Sequence, residues 1–394
     1  MNKTRLMQFT IVALVMCVTV SYAKQEGQPL RFGVSASVEA TDNRDATESN
    51  KESNVDVFLR PYVAFHIDRE VTSLHFRYEP GLRYRTEPGD DQNEFDLHHR
   101  LTLSLRQALN PRARVRASNT FLKIDDPQIA EGGAVLRADR SYILNTARAA
   151  LNYDLGELSN LDLTVHNQIR RYDDSQIAIL TDKNEIGVGV DFRHTLTPTI
   201  RALANAHYDS YSFKSDGLRS RDFDSITGTL GLEYVFTPQI IGSFSGGMQT
   251  RSYDDAAFET DDNIHVVAEL SGTITPDLRV GGTAGFGVRD SDVYPYPSQE
   301  YTEVRGYANM NVSPAITLRG ALTYRASTYD AYPQLGLGGG DEDLIVADAQ
   351  LTYRLTELAS LLAGHRYEDV SADDGLRSGS FTRNTTRLGV RLDF

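Results

Sequence analysis

From Thr385 to Phe394 the chain alternates without a break. Thr386, Leu388, Val390, Leu392 and Phe394 share one face, and Thr385, Arg387, Gly389, Arg391 and Asp393 share the other. Successive side chains of a strand point to opposite faces, so strict period two specifies an extended strand with one apolar and one polar side. Its length is that of a tilted strand crossing a bilayer. The pattern recurs upstream. Ile264, Val266, Ala268, Leu270, Gly272 and Ile274 alternate with His265, Glu269 and Ser271. Val304 to Val312 alternates with Glu303, Arg305, Tyr307, Asn309 and Asn311, and Phe95 to Leu105 with Asp96, His98, Arg100, Thr102, Ser104 and Arg106. An Arg or Lys facing lipid costs about 2–4 kcal/mol at the bilayer midplane, and these strands place none on their apolar face. The competing reading of any one segment is an edge strand of a soluble sandwich; its recurrence argues for a membrane wall.

Mean hydropathy of −0.38 resembles that of a soluble protein. A β-barrel removes the conflict, because only every second residue faces lipid. Beyond the first residues no apolar run reaches the length of a helical span, which excludes helical membrane crossings. Those first residues read as a leader: Lys3 and Arg5 are basic, Ile11 to Val20 is apolar, and Ser21-Tyr22-Ala23 offers small residues for cleavage. A signal peptide over residues 1–23 and one barrel domain over 24–394 follow. Cys17 raises the alternative of a lipoprotein, but bulky Met16 precedes it where a small residue is needed. It is the sole cysteine, so the exported chain has no disulfide. Net charge is −14, and loss of Lys3 and Arg5 makes the exported part more acidic. That argues against nucleic acid, whose phosphates demand basic surfaces.

Two kinds of break separate the strands. Short ones carry Pro or a tight polar turn: Asn110-Pro111, Gly156-Glu157, Thr197-Pro198, Thr237-Pro238, Thr275-Pro276, Ser313-Pro314 and Thr356-Glu357. Proline fits there because it has no N–H to give a ladder. Between them lie longer acidic stretches, such as Asp254 to Asp262 and Ser291 to Glu300. The unit repeats about every 40 residues, near the period of a soluble propeller blade. A blade needs four short strands, however, and this unit holds two long ones. Short periplasmic turns with longer outer loops are the pattern of bacterial outer-membrane barrels. The expectation is therefore an all-β chain, a transmembrane antiparallel up-and-down β-barrel with both termini periplasmic. Eighteen strands are counted, from 29–40 and 55–66 to 360–368 and 384–394, with sixteen as the alternative count. No loop is long enough for a globular plug.

A barrel of this size is wide enough for water, so the inward residues are the candidate site. Parity assigns to the lumen Arg60, Arg100, Arg116, Arg170, Arg193, Arg305, Arg325, Arg354, Arg366 and Arg387, together with Arg77, Arg83 and Arg391. Asp56, Glu79, Asp96, Asp162, Glu185, Asp191, Glu233, Glu269, Glu303, Asp348 and Glu368 join them. A surplus of inward Arg would favour anions in a low-dielectric channel. The plainer reading carries greater weight: cross-strand Arg–carboxylate ladders that stiffen the wall. Inward aromatics look few (Phe58, Tyr62, Tyr142, Tyr211, Tyr307) and form no row, leaving the other Tyr and Phe for interface girdles. Acidic runs at Asp254-Asp255 and Asp341-Glu342-Asp343 read as solvated loop charge, ahead of a cation site bridging lipopolysaccharide. Gly336 to Gly340 lacks the Lys-Ser/Thr of a phosphate loop. No H-E-x-x-H or G-x-S-x-G is present, and His98-His99 point to opposite faces of a strand, so neither enzyme, metal nor cofactor is expected.

The terminal Phe394 closing an alternating strand resembles the signal that barrel-assembly machinery reads. The first strand running into Thr41-Asp42-Asn43, followed by Val55-Asp56-Val57-Phe58-Leu59-Arg60-Pro61, resembles the β-barrel porins associated with exopolysaccharide biosynthesis. The likeness extends over the exported length. It implies an outer-membrane conduit of a Gram-negative cell for polysaccharide, with outer-membrane lipid around it and a separate periplasmic export partner, and no catalytic residues. The alternatives are a diffusion or uptake porin for small anionic solutes, and a structural or adhesive barrel.

Overall fold

The computed structural model describes residues 29–394 except 89–92, 125–140, 215–219, 259, 292, 294–295, 331–335, 337, 374–375 and 377–378. The leader expected at 1–23 lies outside the described residues. Eighteen strands follow one another in order: β1 Leu30–Thr41, β2 Asn54–Asp68, β3 Thr72–Arg85, β4 Phe95–Asn110, β5 Ala113–Ile124, β6 Tyr142–Asp154, β7 Ser159–Tyr172, β8 Lys183–Thr197 and β9 Ile200–Phe213. The second half comprises β10 Phe223–Thr237, β11 Ile240–Tyr253, β12 Asp261–Thr275, β13 Leu278–Asp290, β14 Ser298–Ser313, β15 Ile316–Tyr329, β16 Gly340–Arg354, β17 Ala359–Ala372 and β18 Phe381–Asp393. Each pairs antiparallel with its neighbours, and β1 pairs with β18, so the sheet closes on itself. Closure gives every strand a partner on both sides, as a lipid environment demands. Eighteen is the expected count, and the strand ends lie within a few residues of those read from the alternation.

The tight turns owe their shape to one recurring device. Thr197 Oγ1 accepts the backbone N–H of Ile200 at 3.1 Å, Thr237 does the same for Ile240 at 3.1 Å, and Ser313 for Ile316 at 3.1 Å. Asn110 Oδ1 accepts from Ala113 at 2.9 Å. The side-chain oxygen stands in for a backbone acceptor while the following proline presets φ. A one-residue register shift sits beside each of these turns. Two prolines inside strands are accommodated by sharing one gap. The β2–β3 ladder breaks between the pairs Leu59–Leu82 and Val63–Tyr78, which puts Pro61 opposite Pro80, so both missing N–H groups fall in one interruption.

One short helix, α1 at Ser175–Thr181, lies between β7 and β8 where the alternation gives no sign of helix. Its Ala178 is buried against Ile124, Tyr142 and Tyr172, so the apolar pad on the inner wall, rather than helix propensity, holds it. No helix among the described residues is long and apolar enough to cross a membrane. Asp341, Glu342 and Asp343, read from sequence as loop charge, belong to β16. Glu342 is fully buried beside Arg325, while Asp341 and Asp343 accept from Thr328 and Tyr324. Their cross-strand partners, invisible in the sequence, are what make a strand of an acidic run.

Candidate functional site

Along the spanning strands the exposed apolar side chains face out, and buried apolar residues inside form small separate clusters, such as Leu344, Val346, Val370 and Phe381. Val38, Leu97, Leu230, Phe244 and Leu388 are all exposed on the outer surface. The inner surface is the chemically varied one. All ten arginines named from parity occupy inward positions, which the register makes plain: Arg60 stands opposite Ser35, Arg305 opposite Thr323 and Arg366 opposite Asp348.

Most of them are paired. Glu39 receives Arg60 at 3.0 Å and Arg387 at 2.7 Å. Glu368 receives Arg366 at 2.8 Å and Arg383 at 2.5 Å. Arg305 holds Glu303 at 2.7 Å, and Arg116 reaches over β6 to Asp162 at 2.5 Å. Arg325 is wholly buried against Glu342 at 3.5 Å, and buried Arg170 donates to the Thr181 carbonyl at 2.9 Å, tying α1 to the wall. The inward Arg83 and Asp56 form a further buried pair at 2.5 Å. Around much of the wall the ladder reading therefore holds: charge-assisted bonds satisfy groups that would otherwise be costly to bury.

Several inward arginines depart from it. Arg100, Arg193 and Arg354 have no carboxylate partner among the described residues; Glu79, opposite Arg100, is taken by Arg77. Arg106 and Arg148, which the sequence reading left out of its candidate set, are likewise inward and unpaired. The signal was present, since Arg106 lies on the polar face of its strand and Arg148 shares parity with inward Tyr142. Arg106, Arg116, Arg148 and Arg193 line a recess of about 450 Å³ on β4–β8. Arg106 stands directly opposite Arg116, a like-charge pairing that destabilises a ladder. The two carboxylates of the recess are engaged, Asp162 by Arg116 and Asp191 by His207 at 3.0 Å. Inward positions of β10–β13 mix Glu233, Ser243, Glu269 and Thr283 with Arg251 and Arg279. The β4–β8 recess is a local cationic patch of the lumen wall.

Aromatic residues cluster on the inner wall at the end that carries the longer loops, which corrects the expectation of few inward aromatics. Tyr211 stacks on Phe223 at 4.4 Å, Phe223 meets Tyr253 at 5.5 Å, and Tyr253 meets Phe258 at 5.7 Å. Tyr142 and Tyr172 pair at 5.2 Å beside them. This inward row escaped the sequence reading because it combines residues at the tips of separate strands, whose order in space depends on register. Other tyrosines lie flat on the wall where the facing strand has glycine. Tyr307 occupies the space a Cβ on Gly281 would need, so glycine keeps that ring out of the channel. Outward tyrosines such as Tyr153, Tyr234 and Tyr353 near the tight turns, and Tyr208 and Tyr324 toward the long loops, fit the expected girdles. No group of three or more His, Cys, Asp or Glu among the described residues is placed to hold a metal.

A family model described as Putative beta-barrel porin 2 matches residues 30–394. Solved structures similar to the chain include OccAB4 of Acinetobacter baumannii, 10% identical, covering 94% of this chain and 99% of that one with a TM-score of 0.48. The siderophore receptor PirA of Pseudomonas aeruginosa is 8% identical and covers 94% and 81% with a TM-score of 0.45. The ferric enterobactin receptor PfeA of Pseudomonas aeruginosa, as a two-site mutant, is 9% identical over 94% and 81% with a TM-score of 0.44. No curated protein matches the chain.

Proposed function

The chain belongs to the family described as Putative beta-barrel porin 2, an outer-membrane β-barrel porin by that membership, and from this premise we propose that its lumen is an export conduit for an anionic exopolysaccharide. The observation that carries the reading is the cationic recess on β4–β8. Arg106, Arg148 and Arg193, with Arg116, outnumber the two carboxylates of their recess, Asp162 and Asp191, and low-dielectric walls focus the surplus field on a passing anion. A polymer bearing carboxylate or phosphate groups would meet several such guanidiniums in succession. In this reading the tight turns and both termini face the periplasm, where a separate export partner delivers the polymer, and the long loops face outward.

A salt-gradient measurement in planar bilayers tests the electrostatic half. The wild-type channel should prefer anions, and Arg106→Ser/Arg148→Ser/Arg193→Ser should move the reversal potential toward cations. Loss of secreted polysaccharide on deletion of the gene tests the transport half; an unchanged matrix would overturn export. The buried β13–β14 tip inside the barrel favours one second reading, a diffusion porin for small anionic solutes. Intact polysaccharide secretion together with anion-selective conductance would select it.

A further inference from the structure

The wall of the barrel opens between the upper parts of β12 and β13, and what leaves it is found in the lumen. β11 pairs with β12 as far as Arg251–Asp261, and β13 pairs with β14 as far as Asp290–Ser298. Between them, β12 and β13 stop pairing at Val266–Phe286. The upper part of β13 therefore parts from β12 and keeps only β14. Its backbone finds other partners two strands away: Val288 N–H donates to Gln249 Oε1 at 3.2 Å, and Arg251 Nη1 donates to the Arg289 carbonyl at 3.1 Å.

Asp290 goes further. Its Oδ2 meets Lys183 Nζ at 2.7 Å, although Lys183 begins β8, five strands along the wall. At the usual strand spacing that is about 24 Å of sheet, more than the two side chains span unless the tip of β13 has moved inside. Beyond Asp290, Ser291, Val293, Tyr296, Ser298 and Gln299 are all buried. Val293 and Tyr296 pack on Tyr329 and Leu376. Tyr296 donates its hydroxyl to the Gly338 carbonyl at 2.5 Å and accepts at its own carbonyl from Arg221 at 3.3 Å. Sequence supplies the means to bend: β13 carries Gly281, Gly282, Gly285 and Gly287, and glycine in a strand permits a sharp change of course. Gly287 lies where the two strands part, with the His265 ring in the space its Cβ would fill.

We propose that the β13–β14 hairpin is the constriction of this channel, latched into the lumen by the Lys183–Asp290 pair, and that it must swing back toward the wall before a wide solute passes. Lys183 is shared with Glu185 at 3.1 Å, so the latch is a carboxylate–ammonium–carboxylate bridge in a poorly hydrated place. Glu185 still neutralises Lys183 when Asp290 is lost, so a neutral substitution at Asp290 removes the tie to the hairpin, and a cationic one turns it into repulsion. The proposal goes beyond the transport reading, since hairpin position is read without reference to what is carried.

The test uses the full chain in lipid bilayers, in a Cys17→Ser background with Val293→Cys as a reporter. In the parent, a membrane-impermeant maleimide should label the buried thiol slowly. Asp290→Lys, which sets like charges together, should raise labelling on the order of a hundredfold and raise single-channel conductance with it. Asp290→Asn should do the same to a smaller degree and serves if the lysine variant fails to fold. Fast labelling in the parent overturns the proposal. So do variants that label and conduct like the parent, and labelling that rises while conductance stays fixed.

Discussion

Replacing Leu230 by arginine isolates the physical claim that the outer surface of this barrel faces hydrocarbon. Leu230 lies midway along β10, is 72% exposed, and has only Ala204 and Gly246 beside it. A leucine so exposed is an anomaly in water and ordinary in lipid. Arginine near the bilayer midplane costs about 2–4 kcal/mol, or a factor of about 30 to 1,000 in the folding equilibrium. Ser243 on the next strand provides the comparison. It points inward, directly between Glu233 and Glu269 in the register, so Ser243→Arg gains carboxylate neighbours and should stay within about 0.5 kcal/mol of the parent, as ordinary surface substitutions do. Both variants would be refolded into phospholipid vesicles and titrated with urea. The chain has no tryptophan, so far-UV circular dichroism or gel mobility must report the transition. An unchanged m-value with a lowered midpoint for Leu230→Arg is the expected result. Equal stability of the two arginine variants would refute the assignment of inside and outside.

Four further outcomes follow from particular contacts. Arg83→Ala removes the guanidinium that neutralises buried Asp56 and should cost about 3–5 kcal/mol in the same urea titration, far more than Arg100→Ala. Gly281→Val should push the Tyr307 ring off the wall and lower single-channel conductance, and Tyr307→Ser in the same chain should restore it. Thr237→Ala removes the acceptor for the Ile240 N–H and should cost about 1 kcal/mol without altering conductance. Phe394 closes the barrel by exchanging backbone hydrogen bonds with Phe32 at 2.7 and 3.3 Å; its deletion should lower the amount of barrel recovered from outer membranes, measured by immunoblot, and a normal yield would remove its proposed role in assembly.

The sequence by itself determined the strands, their number and which residues face which way. That information is local. Each side chain of a spanning strand must meet either lipid or lumen, so the alternation of Leu388 with Arg387, or of Leu97 with Asp96, writes the orientation into every second residue. The Thr-Pro turns are legible for the same reason, because their hydrogen bonds join residues three apart. The ten inward arginines were found this way.

What each arginine does was decided elsewhere. Arg60 and Arg387 converge on Glu39 because β1 lies between β2 and β18, and only closure of the sheet brings the first and last strands together. Arg106 and Arg148 make no ion pair among the described residues because the register sets Ser73 and Arg116 beside the first and Ser118 and His166 beside the second. The aromatic row at the mouth and the β13–β14 hairpin reaching Lys183 join residues up to 107 positions apart. Parity states that a side chain points inward; which partner waits there depends on register, closure and the bending of strands away from the wall. Those are set by the free energy of the whole sheet, which no local window contains.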